Sequence, residues 1–138
     1  MGQTTEKVKV KNYGDLFIAA SGALDPSKIR SVDVLGLVDT GAAYLCLPPL
    51  VIQQLGLLYL RSTRVRTANG AVQRRIFGGA AITVRERSIE MAVMENDEDT
   101  PSLIGYLVLE ALDFVVDPKG ETLMGNPEHD GEWIVDLY

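Results

Sequence analysis

The chain reads as a mainly β, single-lobed domain with one or two short helices. Three observations point there: short runs in which apolar and polar residues alternate, turn formers between those runs, and a length of 138 residues, enough for one core but not for two lobes of that size. Residues 1–138 are therefore expected to form one domain, with no repeat or linker. Hydrophobic residues make up 46% of the chain and charged ones 23%, a globular balance rather than a disordered one. A formal net charge of −6 speaks against a nucleic-acid partner, because phosphate binding needs a basic face. No apolar run reaches the roughly 20 residues that span a bilayer, and the polar start, Met1 to Lys9, lacks a signal-peptide core. The expected location is the cytoplasm, with no membrane partner.

Taken in order, Val8 and Val10 alternate with Lys7, Lys9 and Lys11, the pattern of a half-exposed strand. Asn12-Tyr13-Gly14-Asp15 turns the chain, and Leu16 to Ala20 are expected to pair back, giving an N-terminal hairpin over 6–20. Ile29 to Val38 form the next strand. Pro48 and Pro49 open a short helix over Leu50 to Leu55, which Gly56 ends. Val65 and Thr67 alternate with Arg64 and Arg66 up to Asn69-Gly70, a strong hairpin signal, and Ala71 to Ile76 return. Gly78 and Gly79 mark a turn or bulge, since no phosphate-loop spacing surrounds them. A second hairpin runs from Ile82 and Val84 to Ile89, Met91 and Val93. After the acidic loop Asn96 to Thr100 come a helix over Tyr106 to Leu112, a strand at Phe114 to Val116, a turn at Asp117-Pro118-Lys119-Gly120 and a return at Glu121 to Met124. The apolar end, 132–138, is expected to be a buried strand.

One stretch carries chemistry. In Leu37-Val38-Asp39-Thr40-Gly41-Ala42 an apolar run ends on a carboxylate, a hydroxyl and a glycine, which leaves Asp39 at a strand's end facing a cleft. The single cysteine, Cys46, lies in the apolar run Tyr44-Leu45-Cys46-Leu47, so it reads as core and no intrachain disulfide can form. The single histidine, His129, sits in a polar turn far along the chain, too remote in sequence to argue for a thiol-imidazole pair. The acidic loop lacks the alternating ligands and glycine of a calcium loop, so no metal and no cofactor is expected. Five arginines, Arg61, Arg64, Arg66, Arg74 and Arg75, gather around the first hairpin. They read first as a solvated face, and second as a means of drawing acidic peptides toward the cleft.

The sequence resembles the retropepsin-like aspartic proteases, the single-lobed relatives of the retroviral enzymes, and more closely their small bacterial and archaeal members. The Asp39-Thr40-Gly41 motif is joined by the family's second signature, two apolar residues and a glycine ahead of a helix, at Leu103-Ile104-Gly105. Between them Arg66 to Val72 occupies the place of the family's flap, with Thr67, Ala68, Asn69 and Gly70 as the part over the substrate. The resemblance covers about Val32 to Met124 and implies a closed acid-protease barrel. It also implies an aspartic endopeptidase whose two carboxylates share one proton. This chain has one such motif, so the second carboxylate must come from another copy, making the partners a homodimer and a peptide or protein substrate.

The resemblance assigns Thr40 to a hydrogen bond across the two-fold axis, Gly41 to a backbone bond with the carboxylate, and Ile104 and Gly105 to packing behind the loop. It also suggests that the strand at 132–138 lies in an intersubunit sheet. Ala42 stands where pepsin-like lobes carry a serine, and without that hydroxyl donor an optimum on the mild side of acidic is expected. Ala43, Tyr44 and Tyr106 depart from the charged residues that brace the retroviral site, so apolar packing is expected to replace that brace. Two other readings compete: a silent binding or dimerisation module on the same fold, and a metal hydrolase built from Asp39, His129 and the acidic loop.

Overall fold

The computed structural model of the chain describes residues 4–117, 119, 122–135 and 137. It begins with β1 (Thr5–Asn12), α1 (Tyr13–Ala20), β2 (Ser31–Val38), β3 (Leu45–Leu47) and α2 (Pro49–Leu55). Two long strands follow, β4 (Leu58–Thr67) and β5 (Gly70–Val84), then β6 (Arg87–Glu95), the two-residue β7 (Leu103–Ile104) and α3 (Tyr106–Ala111). A small separate sheet, β8 (Phe114–Asp117) with β9 (Thr122–Gly125), ends the ordered elements apart from a single 3-10 turn at Pro127–His129.

Strands β1, β2, β7, β3, β6 and β5 are hydrogen-bonded in that order, and β1 pairs with β5 as well as with β2. The sheet therefore closes into a ring, and β4 hangs from the outer side of β5. Alternation explains the closure. Val8 and Val10 on β1 are fully buried, while Lys7 and Lys9 on the same strand reach out to the Asp33 carboxylate on β2. Inside the ring Leu45, Leu47, Ile82, Val84, Val93 and Ile104 pack as one cluster, each side chain removed from water contributing roughly 1.5–3 kcal/mol. Residues Gly78 and Gly79 sit at a shift of register between β5 and β6, so the glycine pair is a bulge. On the hairpin side of the bulge β5 still pairs with β6 at Phe77 and Ile76, and beyond Ile76 it continues as one arm of a hairpin that stands off the body.

The mainly β, single-lobed architecture matches the expectation, but three details differ. The N-terminal hairpin over 6–20 does not form, because Leu16 to Ala20 belong to α1 and β1 finds its partners in β2 and β5. The Asn12 side chain caps that helix by accepting from the Asp15 N–H, and its amide donates to the Leu55 carbonyl at the end of α2. One residue thus closes two helix ends. The helices number three, not one or two, among the described residues. The expected strand over 132–138 is absent from its described part: Glu132 to Val135 and Leu137 pair with no strand, and Val135 and Leu137 are 78% and 95% exposed. Positions Asp136 and Tyr138 lie outside the described residues, as do Pro118, Gly120 and Glu121 of the expected turn and return.

Asp15 and Arg30 fasten α1 to the strand that leads toward the candidate site. The Asp15 carboxylate accepts from the Arg30 backbone N–H at 3.0 Å and from its Nε and Nη2 at 2.8 and 2.9 Å. These bonds from Arg30, the side-chain ones first, hold Asp15 down to about 2 from the usual carboxylate value.

Candidate active site

Asp39 is the first residue past β2, and its backbone is fixed from behind. Short as it is, β7 lies between β2 and β3, parallel to the first and antiparallel to the second, in the register Val38 opposite Ile104 and Leu45 opposite Ile104. The Leu37 N–H donates to the Ser102 carbonyl and the Asp39 N–H to the Ile104 carbonyl, at 2.9 and 3.0 Å. Ile104 is completely buried. The loop then doubles back: the Ala42 N–H donates to the Asp39 carbonyl at 3.1 Å, and the Gly41 N–H donates to Asp39 Oδ1 at 2.9 Å.

The start of α3 locks the far side of the same loop. Its first free amides, Tyr106 N–H and Leu107 N–H, donate to the carbonyls of Ala42 and Ala43 at 2.8 and 3.0 Å. These are donors that a helix leaves without an internal partner, and the loop supplies acceptors for them. Gly105 makes that approach possible, since a Cβ there would collide with the backbone of Ala43 and Tyr44. Leu103, Ile104 and Gly105 therefore sit directly behind Asp39, Thr40, Gly41 and Ala42. Tyr106, which stands where the retroviral site has part of its charged brace, gives its backbone N–H to the loop and is among the residues lining the cleft.

In front of Asp39 opens a cavity of about 530 Å³, floored by the aspartate loop and roofed by the hairpin of β4 and β5. The hairpin turns one residue earlier than Asn69-Gly70 suggests. Ala68 and Asn69 form the turn, Thr67 pairs with Gly70, and Gly70 takes the positive φ of 113°. The Thr67 hydroxyl stitches the tip by donating to the Gly70 carbonyl at 2.8 Å and accepting from the Asn69 N–H at 3.2 Å. Thr67 lines the cavity, whereas Ala68, Asn69 and Gly70 are exposed beyond its rim.

The five arginines separate into distinct situations. Arg75 points away from the cleft and forms a two-pronged bond with Glu95 at 2.7 and 2.8 Å. Arg74 lies on the opposite face of β5, lines the cavity, and bonds Asp97 of the acidic loop at 2.9 Å. Arg64 and Arg66 border the cavity from β4, and Arg61 does not line it. Arg74 is the lining residue whose role the sequence left undivided from its neighbours; its place two residues before the fully buried Ile76 was the available signal.

Cys46 is buried with the floor, and its thiol faces the Tyr44 carbonyl. Burial first, and the nearby Asp39 charge second, push it up to about 11, against a smaller pull from Arg74, so it is a poor nucleophile. His129 is elsewhere. It bonds Asp113 Oδ2 at 2.5 Å in a knot that also takes the Asn126 amide and the Ile134 N–H, and these donors, His129 first, hold Asp113 below its usual value. A metal centre drawing on Asp39, His129 and the acidic loop together is not assembled, and no cluster of three His, Cys, Asp or Glu suited to a metal occurs among the described residues. No helix among the described residues is long and apolar enough to cross a membrane.

The family model described as "gag-polyprotein putative aspartyl protease" matches residues 26–111. Among solved structures the chain is similar to EIAV protease complexed with the inhibitor HBY-793, with a TM-score of 0.54, 16% sequence identity, and coverage of 79% of this chain and 86% of that chain. At that identity the likeness speaks for the fold. No curated protein matches the chain.

Proposed function

Because the chain belongs to the gag-polyprotein aspartyl protease family, we propose that it is an aspartic endopeptidase, acting in the cytoplasm as a homodimer in which Asp39 meets Asp39 of a second copy. The observation that carries this reading is the position of Asp39: a half-buried carboxylate at a strand's end, clamped through its backbone, on the floor of a roofed cavity. One carboxylate cannot be both base and acid. In the pair, the ionised member takes a proton from a water as its oxygen attacks the scissile carbonyl carbon, and the protonated member donates a hydrogen bond to the carbonyl oxygen. The proton then passes to the leaving nitrogen and the amide bond breaks.

Several neighbours have parts in this scheme. Gly41 keeps one carboxylate oxygen oriented through its N–H, and Thr40, an exposed residue, bonds the second copy's loop through its hydroxyl. Leu103, Ile104 and Gly105 hold the loop against displacement. Residues Thr67 to Gly70 close over an extended peptide, offering backbone hydrogen bonds and excluding bulk water. With no hydroxyl at Ala42 to stabilise an ionised pair, the pH optimum lies on the mild side of acidic.

Incubating a mixed peptide library with the wild type and with Asp39→Asn tests the proposal. Cleavage by the wild type that falls by at least about a thousandfold in the variant supports it. Cleavage that survives the substitution excludes aspartic chemistry at this residue, and no cleavage by either protein leaves a binding module on the same fold.

A further inference from the structure

We propose that the cleft selects peptides carrying an acidic side chain beside the bond to be cut, with Arg74 as the residue that reads it. The inference rests on the proteolytic reading of the same cleft and adds to it a substrate class. Strand alternation supplies the first observation. Thr63 pairs with Arg74 and Val65 with Val72, and these four are the half-buried residues of the hairpin arms, so they form its inner face above Asp39. Among those four only Arg74 is charged. Its side chain is 23% exposed, while its partner Asp97 is 66% exposed and belongs to a surface loop. A pair with so exposed a partner is weak and readily exchanged. A substrate carboxylate entering the more sheltered cleft can take the place of Asp97, or share the guanidinium, whose several N–H groups exceed the bonds it now makes to Asp97 and the Gln73 carbonyl.

Charge balance supplies the second observation. Three arginines, Arg64, Arg66 and Arg74, line the cavity against the single carboxylate of Asp39, in a chain whose net charge is −6. The positive potential is thus concentrated where a substrate lies. Arg64 and Arg66, on the alternate positions of β4, stand at the rim and act at longer range, speeding the encounter with an acidic segment. Arg74 acts at contact.

The test uses twin peptides, built on any sequence the library shows to be cut, that differ only by Glu against Gln at each position flanking the scissile bond. For the wild type, one position favours Glu by about tenfold, mainly through KM, as a partly sheltered charge-assisted bond requires. The preference fades below about pH 4, where the substrate glutamate takes up its proton. In Arg74→Glu the ratio falls below one. In Asp97→Asn, which keeps Arg74 and removes its competitor, the ratio rises, so the inference stays testable if the first variant fails to fold. Equal cleavage of both twins overturns the inference and leaves the proteolytic reading standing. If the library yields no cut sequence, that reading falls, and twins built on a library peptide that the protein binds decide the inference: tighter binding of the Glu twin upholds it, and equal binding overturns it.

Discussion

The cradle behind Asp39 and the hairpin in front of it are built on opposite principles. In the cradle, backbone bonds from Leu37, Asp39, Tyr106 and Leu107 tie β2, β7 and α3 together around the fully buried Ile104, with Gly105 allowing van der Waals contact of backbone on backbone. Beyond Ile76 the hairpin has its own ladder, a stitched tip, ion pairs from Arg74 and Arg75 to the body, and one apolar contact, Val65 against the small cluster of Cys46, Ile76 and Met94. Buried backbone contacts have no cheap alternative arrangement, whereas exposed ion pairs do. The catalytic candidate is thus fastened by more and better-buried contacts than its roof, the asymmetry expected of a cleft that admits a chain and then excludes water.

Substitutions can break that contrast at either end. The largest effect is expected for Gly105→Ala, whose new methyl meets unyielding carbonyls; a loss of about 3 kcal/mol in urea unfolding is the expected outcome, and an unchanged midpoint would show the cradle to be soft. Next comes Asp15. Its carboxyl is held at about 2 in the fold against 3.8 as the ordinary value, so the ionised form is stabilised, and the contribution is complete above about pH 4 and lost as pH falls toward 2. Allowing for the half-exposed Arg30 side chain, about 1 to 2 kcal/mol should separate the wild type from Asp15→Asn at neutral pH, and the gap should close across that acid window.

On the hairpin, effects should be smaller and should appear in function first. Gly70→Ala forces a positive φ on an alanine and should cost about 1 kcal/mol, felt locally as faster amide exchange at the tip and a raised KM rather than as global unfolding. Smallest is Arg75→Met, which removes the exposed guanidinium's pair with Glu95; a barely shifted unfolding midpoint is expected, with the difference shrinking further in high salt. A large loss there would mean that the hairpin is as firmly fixed as the cradle.

The sequence made legible what depends on local pattern. The alternation of Val8 and Val10, the Pro-Pro start and Gly56 end of α2, and the glycine pair in β5 all correspond to elements found. It misled where a short apolar run has two solutions. Leu16 to Ala20 has neither clear period, and the deciding feature was Asn12, three residues ahead of Asp15, in the position of a helix cap. At the other end Trp133 to Val135 read as apolar and hence buried, yet the segment is tied down by polar bonds, Trp133 Nε1 to the Ala111 carbonyl and Ile134 N–H to Asp113. In the candidate site, the two motifs of the sequence lie against each other, but the bond from Arg74 spans 23 positions to Asp97 and leaves no local trace. Which arginine faces the cleft depends on the register of β4 against β5, and that is a property of the folded hairpin.

If two copies each give one carboxylate to a single reaction, mixing of subunits exposes the dependence. When wild type and Asp39→Asn are combined in equal amounts and allowed to exchange at fixed total concentration, about a quarter of the wild-type rate should remain, because only wild-type pairs hold both acids. A rate of about one half would contradict it, since each copy would then be cutting peptides alone.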